Sequence, residues 1–237
     1  MINLSEDVLV RLVGPDDPEL ELVVFPGAGA GPSSVVAWRD LLPPTWRLSA
    51  VCLPGRGTRF GEDPATDPTR IADEVAAALG DTGDRRIVLA GHSVGALWAL
   101  ETALRVSPEL LVTAACQAPP PNGTIPTFES TEEDDHEFIR DLLIALGITD
   151  EDTLDELVDI SVPVLRADIE LADRWSAPDV RLNCPIVSFY GAEDPTPADP
   201  WSAYTGHAHV VTVPGDHYFF QSHAEDVVAE LVGRLTR

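Results

Sequence analysis

The sequence predicts an α/β fold with a mostly parallel central sheet and helices on both of its faces. Short apolar runs typical of buried strands alternate with amphipathic helical patterns along most of the chain. Glycine- and proline-rich loops follow many of these runs, as expected where a strand ends. Such alternation implies parallel strands joined by right-handed crossovers, which place helices on both faces of the sheet.

Length and charge narrow the class of protein further. With 237 residues and 44% hydrophobic content, the chain is long enough to bury one substantial core. We therefore expect a single domain over 1–237, with a helical insertion at about 124–178. The formal net charge is −25, and all fifteen basic residues are arginine. A field of this sign repels nucleic acid and anionic membrane surfaces, so neither is expected as a partner.

The cysteines and the N-terminus indicate a cytoplasmic protein. Cys52, Cys116 and Cys184 lie far apart, in or beside apolar runs. This placement is typical of core thiols in a reducing compartment and lacks metal-ligand spacing, so no metal or cofactor is expected. Residues 1–7 lack the basic and apolar regions of a signal peptide, and no apolar run approaches membrane-spanning length.

The elements can be placed along the chain from their patterns. Strands are predicted at 8–13, 20–25, 47–53, 87–90, 111–116, 185–190 and 208–213. Helices are predicted from Asp67 to Gly80, directly after the 87–90 strand, and at 224–235. A further helix is expected after the second strand, capped by Ser33 or Ser34. Val36 and Trp38 are among its expected buried residues.

The insertion has a composition of its own. Residues 129–159 hold thirteen acids and one base, Arg140. Apolar residues nevertheless recur there at helical spacing, as they do again over 164–175, which predicts amphipathic helices with acidic outer faces. An insertion that follows a strand end normally covers the functional site as a cap. The alternative is an insertion with a purely structural role.

A nucleophile is predicted in the pentapeptide Gly91-His92-Ser93-Val94-Gly95. The apolar strand before it and the Ala/Leu-rich helix after it make this a tight strand-to-helix turn. Glycines in such a turn remove Cβ atoms that would clash, and the serine at the apex stands exposed above the sheet. The Val94 N–H at the start of the helix is unpaired and can donate to an oxyanion.

A serine hydroxyl needs a base and an orienting acid, and the last two strands supply them. His217 is the preferred base because it directly follows the last strand. Asp194 is preferred as the acid over Glu193, since a short carboxylate needs less reach. Asp216 is too close in sequence to fold back onto the His217 ring. The remaining histidines suit elbow, surface or packing roles: His92, His136, His207, His209 and His223.

Two glycine-rich loops also follow strands. In the first, 26–32, small residues let N–H groups approach a ligand, and Ala28 is the preferred second oxyanion donor, with Gly27 or Gly29 as alternatives. Neither a Walker lysine nor a G-x-G-x-x-G pattern is present, which disfavours nucleotide binding.

The second loop carries Arg56 and Arg59. These arginines either bind an anionic group, such as that of a carrier-linked substrate, or pin the loop to a carboxylate such as Glu62 or Asp63. The sequence leaves both roles open.

The chain resembles the type II thioesterases of polyketide and nonribosomal peptide biosynthesis over nearly its whole length. Five stretches carry this resemblance, in order: Phe25-Pro26-Gly27-Ala28-Gly29, Leu53-Pro54-Gly55-Arg56-Gly57-Thr58-Arg59, Gly91 to Leu97, Pro163-Val164-Leu165-Arg166-Ala167-Asp168 and Pro214 to Phe219. The second and fourth are far more specific than the serine turn alone.

The resemblance implies an α/β-hydrolase fold with a helical lid and hydrolysis of acyl groups from the phosphopantetheine thiol of acyl or peptidyl carrier proteins. Carried over by position, Ser93 is the nucleophile, His217 the general base and Asp194 its orienting acid. The N–H groups of Ala28 and Val94 then form the oxyanion hole. Members of this family remove stalled or wrongly primed acyl units in antibiotic pathways.

Two positions depart from the family pattern. Gly27 stands where a histidine usually precedes the alanine, and this affects the mouth of the site. Asp216 stands where a glycine usually precedes the catalytic histidine, where it could raise the pKa of His217 or redirect its hydrogen bond. An altered substrate preference or a specialised release role is the expected consequence.

Other functions use the same residues. An acyltransferase, a cyclising release enzyme and a small-molecule carboxylesterase would each keep the triad but change the acceptor or the substrate. A non-catalytic binding module would lack a triad member, and none is missing. The sequence determines neither the acyl chain nor the oligomeric state, for which a monomer is one option.

The distribution of charge suggests where a carrier protein docks. Carriers are generally acidic around the phosphopantetheine site, so the acidic outer face of the cap should repel them. The acids expected on this face are Glu132, Glu133, Asp134, Asp135, Asp150, Glu151 and Asp152. Residues 39–105 hold most of the usable positive charge. The phosphopantetheine arm is therefore expected to enter beside Arg56 and Arg59, beneath the cap.

Overall fold

The computed structural model describes residues 8–125, 130–199 and 201–236. Within them, seven strands form one sheet in the order β1-β3-β2-β4-β5-β6-β7. The strands are β1 Leu9–Val13, β2 Leu20–Phe25, β3 Trp46–Val51, β4 Arg86–His92, β5 Leu110–Ala114, β6 Ile186–Gly191 and β7 Ala208–Val213. β1 runs antiparallel to β3 and all other pairs are parallel, which confirms the predicted α/β class.

Helices follow the strands as expected from the alternating pattern. They are α1 Pro68–Leu79, α2 Gly95–Val106, α3 Glu132–Ala145, α4 Glu151–Arg174, α5 Phe219–Ser222 and α6 Ala224–Leu235. α1 begins where predicted, because the Asp67 carboxylate accepts the Thr69 N–H and Pro68 occupies the first turn. Among the described residues, no helix is both long and apolar enough to cross a membrane.

The sheet separates two apolar clusters. On one face, α1 and α2 pack with Trp98 and Trp175 against the odd-numbered residues of β2 to β5. On the other face, α5 and α6 pack with Trp38 and Trp46 against the even-numbered residues of the same strands. Because central strands such as β2 and β5 are covered on both faces, they are buried along their whole length.

The segment after β2 differs from the predicted helix. Residues Pro32–Asp40 form 3-10 turns interrupted at Val35, which has non-helical dihedral angles. Neither serine caps the segment; the Ser34 hydroxyl instead donates to the Gly31 carbonyl. Trp38 is fully buried as expected, whereas Val36 is exposed. The hydrogen bond from Trp38 Nε1 to the Phe220 carbonyl shows that tertiary contacts hold this stretch.

The inserted segment forms the helices α3 and α4, which pack on each other and on the loop after β2. Their shared apolar cluster consists of Ala28 and Ala30 from that loop and Ile139, Leu142, Val158, Val162, Leu165 and Ile169 from the helices. α4 runs unbroken through Pro163, so the two helical patterns of its sequence belong to one helix. Residues 126–129, at the start of the predicted insertion, lie outside the described residues, as do residues 1–7, for which the sequence predicts no signal-peptide features.

The acidic outer face of α3 and α4 differs from the prediction at one residue. Asp135 is buried, accepts a hydrogen bond from Ser130 and pairs with Arg166. The other six acids are exposed. Asp134 closes a capping box with Thr131, and Asp150 caps α4. Acids at these helix N-termini therefore satisfy free N–H groups and the helix dipole.

Candidate active site

The turn between β4 and α2 has the geometry of a nucleophile elbow. Ser93 at its apex has a φ of +52°, a left-handed conformation that few non-glycine residues adopt. A Cβ on Gly91 would lie 2.4 Å from Ala96 Cα, and one on Gly95 would lie 2.2 Å from the Phe25 carbonyl oxygen. Glycine is therefore required at both flanks, and the strained serine is held where strand and helix approach closely.

His217 and Asp194 meet at the same edge of the sheet. The His217 Nδ1 lies 3.4 Å from Asp194 Oδ1, which also accepts the Thr196 N–H at 2.9 Å. The Asp194 side chain is fully buried and that of His217 is 23% exposed. This is a long hydrogen bond, as catalytic pairs often are before substrate binds. The ring is thus oriented by Asp194 on one side and open to a cavity on the other.

The pKa of Asp194 lies below its usual range although the carboxylate is buried. Burial is the largest single influence and raises this pKa, but hydrogen bonds from His217 and Thr196 together outweigh it. Asp194 is therefore ionised at neutral pH, as the acid that orients a histidine must be.

Glu193 and Asp216, the two other acids considered as partners of His217, do not contact its ring nitrogen Nδ1. Glu193 is exposed to solvent, while its backbone N–H donates to the Gly215 carbonyl. Asp216 accepts the Tyr218 N–H at 2.9 Å and so closes a local turn. The hydrogen bond of His217 Nδ1 goes to Asp194, so Asp216 does not redirect it.

Ala28 and Val94 line the same cavity as Ser93 and His217. Within the part of the chain that the structure describes, neither backbone N–H donates to a protein acceptor. The loop that carries Ala28 is closed by the Ala30 N–H, which donates to the Gly27 carbonyl at 3.1 Å. Ser93 is half-buried rather than fully exposed as expected, but it lines the cavity. Two free donors beside such a serine are the components of an oxyanion hole.

The rest of the cavity is mostly apolar, although Gln117, Asp173 and Thr196 also line it. Its volume is about 190 Å³. It is lined by Ile125 and Phe138 and, from α4, by Leu165, Ile169 and Ala172. Burial raises the pKa of Cys116, which also lines the cavity, to about 12, so its thiol stays protonated and is not a competing nucleophile. Such a wall suits an aliphatic or aromatic acyl chain.

His92 contributes an interaction that sequence reasoning missed. Its ring is buried, stacks on Phe220 with centroids 5.3 Å apart, and lies with Nε2 2.8 Å from the His217 carbonyl oxygen. Because a carbonyl can only accept, Nε2 carries the proton. Burial and, to a smaller extent, the nearby His217 lower the pKa of His92 to about 3. A neutral His92 thus holds the backbone that presents the His217 ring.

We expect His92 to destabilise the fold on mild acidification. Because its pKa falls from 6.5 to about 3 on folding, the unfolded chain binds more protons between these values. Its contribution is complete above pH 6.5 and is lost as the pH falls toward 3. Between pH 7 and 4, the free energy of unfolding should fall by about 3 kcal/mol more in the wild type than in His92→Gln.

Denaturant melts at each pH measure this difference. His209→Gln changes an exposed histidine and serves as the matched control. Its pH dependence should follow the wild type. Parallel curves for the wild type and His92→Gln would contradict the assignment of His92 as a buried neutral group.

Gly27, one of the two departures from the family pattern, lies against the elbow. A Cβ at this position would lie 3.1 Å from His92 Nδ1 and 3.4 Å from Ser93 Cβ. Any side chain there must therefore pass close to the nucleophile, and the glycine leaves this approach to Ser93 free of a side chain.

Arg56 and Arg59 are both buried and engaged by carboxylates. Arg56 forms a bidentate ion pair with Asp168 of α4, with distances of 2.6 and 2.7 Å. Arg59 forms one with Glu62, at 2.9 and 2.6 Å, and also reaches Glu74. The geometry favours the alternative in which these arginines pin the loop, and contact with a carrier stays a prediction.

The strand order and the elbow at Ser93 are those of the α/β-hydrolase fold. Residues 20–235 match the model of the thioesterase domain family, and the chain belongs to that family. It is therefore a hydrolase that acts on thioesters.

Relatives agree with this assignment. The AMB antimetabolite synthetase AmbE of Pseudomonas aeruginosa is 31% identical over 94% of this chain, which spans 11% of that much longer protein. The thioesterase RedJ from the prodiginine pathway of Streptomyces coelicolor is 32% identical, with a TM-score of 0.77 over 92% of each chain. The type II thioesterase BorB from the borrelidin cluster is 25% identical, with a TM-score of 0.80 over 96% of this chain and 97% of its own.

Proposed function

We propose that this protein hydrolyses acyl groups from the phosphopantetheine thiol of acyl or peptidyl carrier proteins, as an editing or release enzyme of polyketide or nonribosomal peptide biosynthesis. The observation that carries the proposal is the cavity in which Ser93, His217, Ala28 and Val94 meet beneath the apolar inner faces of α3 and α4. Membership of the thioesterase family and the likeness to RedJ and BorB support it.

In the proposed acylation step, Ser93 Oγ attacks the thioester carbonyl carbon. His217 Nε2 takes the hydroxyl proton, while Asp194 accepts the Nδ1–H and keeps the ring in the tautomer that the base requires. The carbonyl oxygen becomes an oxyanion and receives hydrogen bonds from the Ala28 and Val94 N–H groups. Collapse of the tetrahedral intermediate breaks the C–S bond, and His217 returns the proton to the departing thiol.

Deacylation uses the same groups. His217 Nε2 removes a proton from a water molecule, whose oxygen attacks the acyl carbon on Ser93. The N–H groups of Ala28 and Val94 again stabilise the oxyanion. Release of Ser93 with the proton from His217 yields a carboxylic acid and the free enzyme.

We infer that the chain is a single domain over 1–237 whose segment at about 124–178 serves as a lid. Phe138 of α3 and Leu165 and Ile169 of α4 form one wall of the cavity, so the lid contacts the acyl chain. The Tyr218 hydroxyl donates to the Phe138 carbonyl at 3.0 Å, which links α3 to the loop that carries His217.

The carrier is proposed to approach beside the lid rather than across it. The outer acids of α3 and α4 repel an acidic partner. A second cavity of about 920 Å³ lies between the Gly55–Phe60 loop and the lid, and offers room for the phosphopantetheine arm. Gly29 and Ile139 both line this second cavity.

Three free cysteines support a reducing cytoplasm as the compartment.

The test is direct. The protein is incubated with acyl-loaded carrier proteins and with free acyl thioesters, and the products are identified by mass. We expect free carboxylic acid and unloaded carrier. Transfer of the acyl group to a second acceptor, or a cyclised product, would overturn hydrolysis in favour of an acyltransferase or a cyclising release enzyme. Faster turnover of simple oxygen esters than of thioesters would instead indicate a carboxylesterase.

A further inference from the structure

The two most specific motifs of the sequence meet in one ion pair. Arg56 belongs to the Pro54-Gly55-Arg56 stretch after β3, and Asp168 ends the Leu165-Arg166-Ala167-Asp168 stretch of α4. We propose that this pair positions the Ala28 N–H of the oxyanion hole and makes catalysis depend on the placement of α4. The inference rests on the proposed function, because it assigns Ala28 a role in hydrolysis.

The pair holds the loop after β2 at the two residues that follow Ala28. Asp168 Oδ2 accepts the Gly29 N–H at 2.9 Å. Arg56 Nη1 donates both to Asp168 Oδ2 and, at 2.9 Å, to the Ala30 carbonyl oxygen. One donor and one acceptor of the loop backbone are therefore anchored to the same two charged side chains.

These anchors determine the direction of the Ala28 N–H through a short turn. The Ala30 N–H donates to the Gly27 carbonyl, which shares a peptide plane with the Ala28 N–H. Gly29 within the turn has a φ of +73°, a conformation in which the backbone of glycine has wide freedom. Without the anchors, this plane can rotate. With them, it is constrained at Gly27, Gly29 and Ala30.

Burial makes the anchor stiff. Arg56 is 8% exposed and Asp168 is 4% exposed. The bidentate geometry gives two parallel charge-assisted bonds in a fixed plane. Separating the two side chains would leave each charge buried without its counterion, which is strongly unfavourable. The ion pair therefore stays closed while both residues are buried.

The anchor also couples the oxyanion hole to the lid. Asp168 lies on α4 between Leu165 and Ile169, which line the Ser93 cavity. Displacement of α4 would move the acyl wall and release Gly29 and Arg56 together. The enzyme would then be catalytically competent only while α4 is seated on the loop.

A matched control is available in the same two helices. Asp135 of α3 is 1% exposed and pairs with Arg166 of α4, so it is a second buried lid carboxylate in an ion pair. Its other partner is Ser130, and neither group belongs to the loop after β2. Asp135→Asn therefore disturbs the lid to a comparable degree while it leaves the Asp168 contacts to Gly29 and Arg56 in place.

The experiment compares Asp168→Asn and Asp135→Asn by hydrolysis of a free acyl thioester and by binding of an alkylboronic acid, which forms a tetrahedral adduct on the serine. Loss of an oxyanion donor typically lowers kcat by about 10²-fold. We expect Asp168→Asn to lower kcat and boronic acid affinity by about this factor, with KM changed less than about threefold. Asp135→Asn should keep both values within about twofold of the wild type.

Equal losses in the two variants, or a rise in KM at unchanged kcat, would overturn the inference. If Asp168→Asn does not fold, the same measurements on Arg56→Lys test the inference. This variant keeps the positive charge but loses the bidentate hydrogen bonding of the guanidinium group. It should lower kcat and boronic acid affinity together, by about 10-fold, and unchanged values would overturn the inference. A wild type that hydrolyses no thioester would instead show that the proposed function fails.

Discussion

Replacing Ser93 by alanine should abolish almost all thioester hydrolysis. Removal of a serine that acts as a unit with its histidine typically lowers kcat by about 10⁶-fold, since only binding and the oxyanion hole remain. The elbow geometry and the free donors of Ala28 and Val94 are unaffected by the change, so substrate should still bind. Steady-state kinetics with acyl-loaded carrier give kcat, and intact-protein mass measures the acyl-enzyme.

The control for this variant is Ser188→Ala. Ser188 is a buried serine of β6 whose hydroxyl is hydrogen-bonded to that of Thr113, and it lines neither the Ser93 cavity nor the second cavity. Its activity should stay near the wild-type level. A Ser93→Ala protein with near wild-type hydrolysis, or an acyl adduct on another residue, would contradict the mechanism.

Replacing Asp194 by asparagine should lower kcat by about 10⁴-fold with little change in structure. An amide at this position can present its NH₂ group to His217 Nδ1, which favours the wrong tautomer of the ring. Asp194 Oδ1 is the acceptor for both His217 and the Thr196 N–H. The pH dependence of kcat/KM and the hydrolysis rate with a free thioester measure the effect.

Glu193→Gln is the matched control, because Glu193 is the neighbouring carboxylate and is exposed. Its kcat should remain within about twofold of the wild type. If this variant is the damaging one and Asp194→Asn is not, the acid has been assigned to the wrong residue.

Much of the candidate site was accessible from the sequence because its residues depend on local rules. Gly91 and Gly95 predict the elbow, because a Cβ at either position would clash within one tight turn, and this clash depends on local geometry alone. His217 and Asp194 each directly follow a strand, and parallel strands end at one edge of the sheet. Tertiary packing has only to bring the ends of β4, β6 and β7 together.

The interactions that were missed join residues distant in the chain. The hydrogen bond from His92 to the His217 carbonyl spans 125 positions, and the Arg56 and Asp168 pair spans 112. A sequence shows that Arg56 follows a strand, but not which carboxylate among forty acids it meets. The burial of Asp135 among exposed acids has the same origin, because Arg166 on α4 faces it.

By itself, the sequence determined the alternation of strands and helices, the elbow at Ser93 and the order of the three candidate catalytic residues, because periodicity and glycine sterics act over a few residues. Only the tertiary structure decided that β1 pairs with β3 rather than with its neighbour β2, that Pro32–Asp40 is 3-10 rather than α-helical, and that α4 continues through Pro163. These outcomes depend on packing partners far along the chain. The free energy of burying Trp38 and the α4 face outweighs the local preferences there.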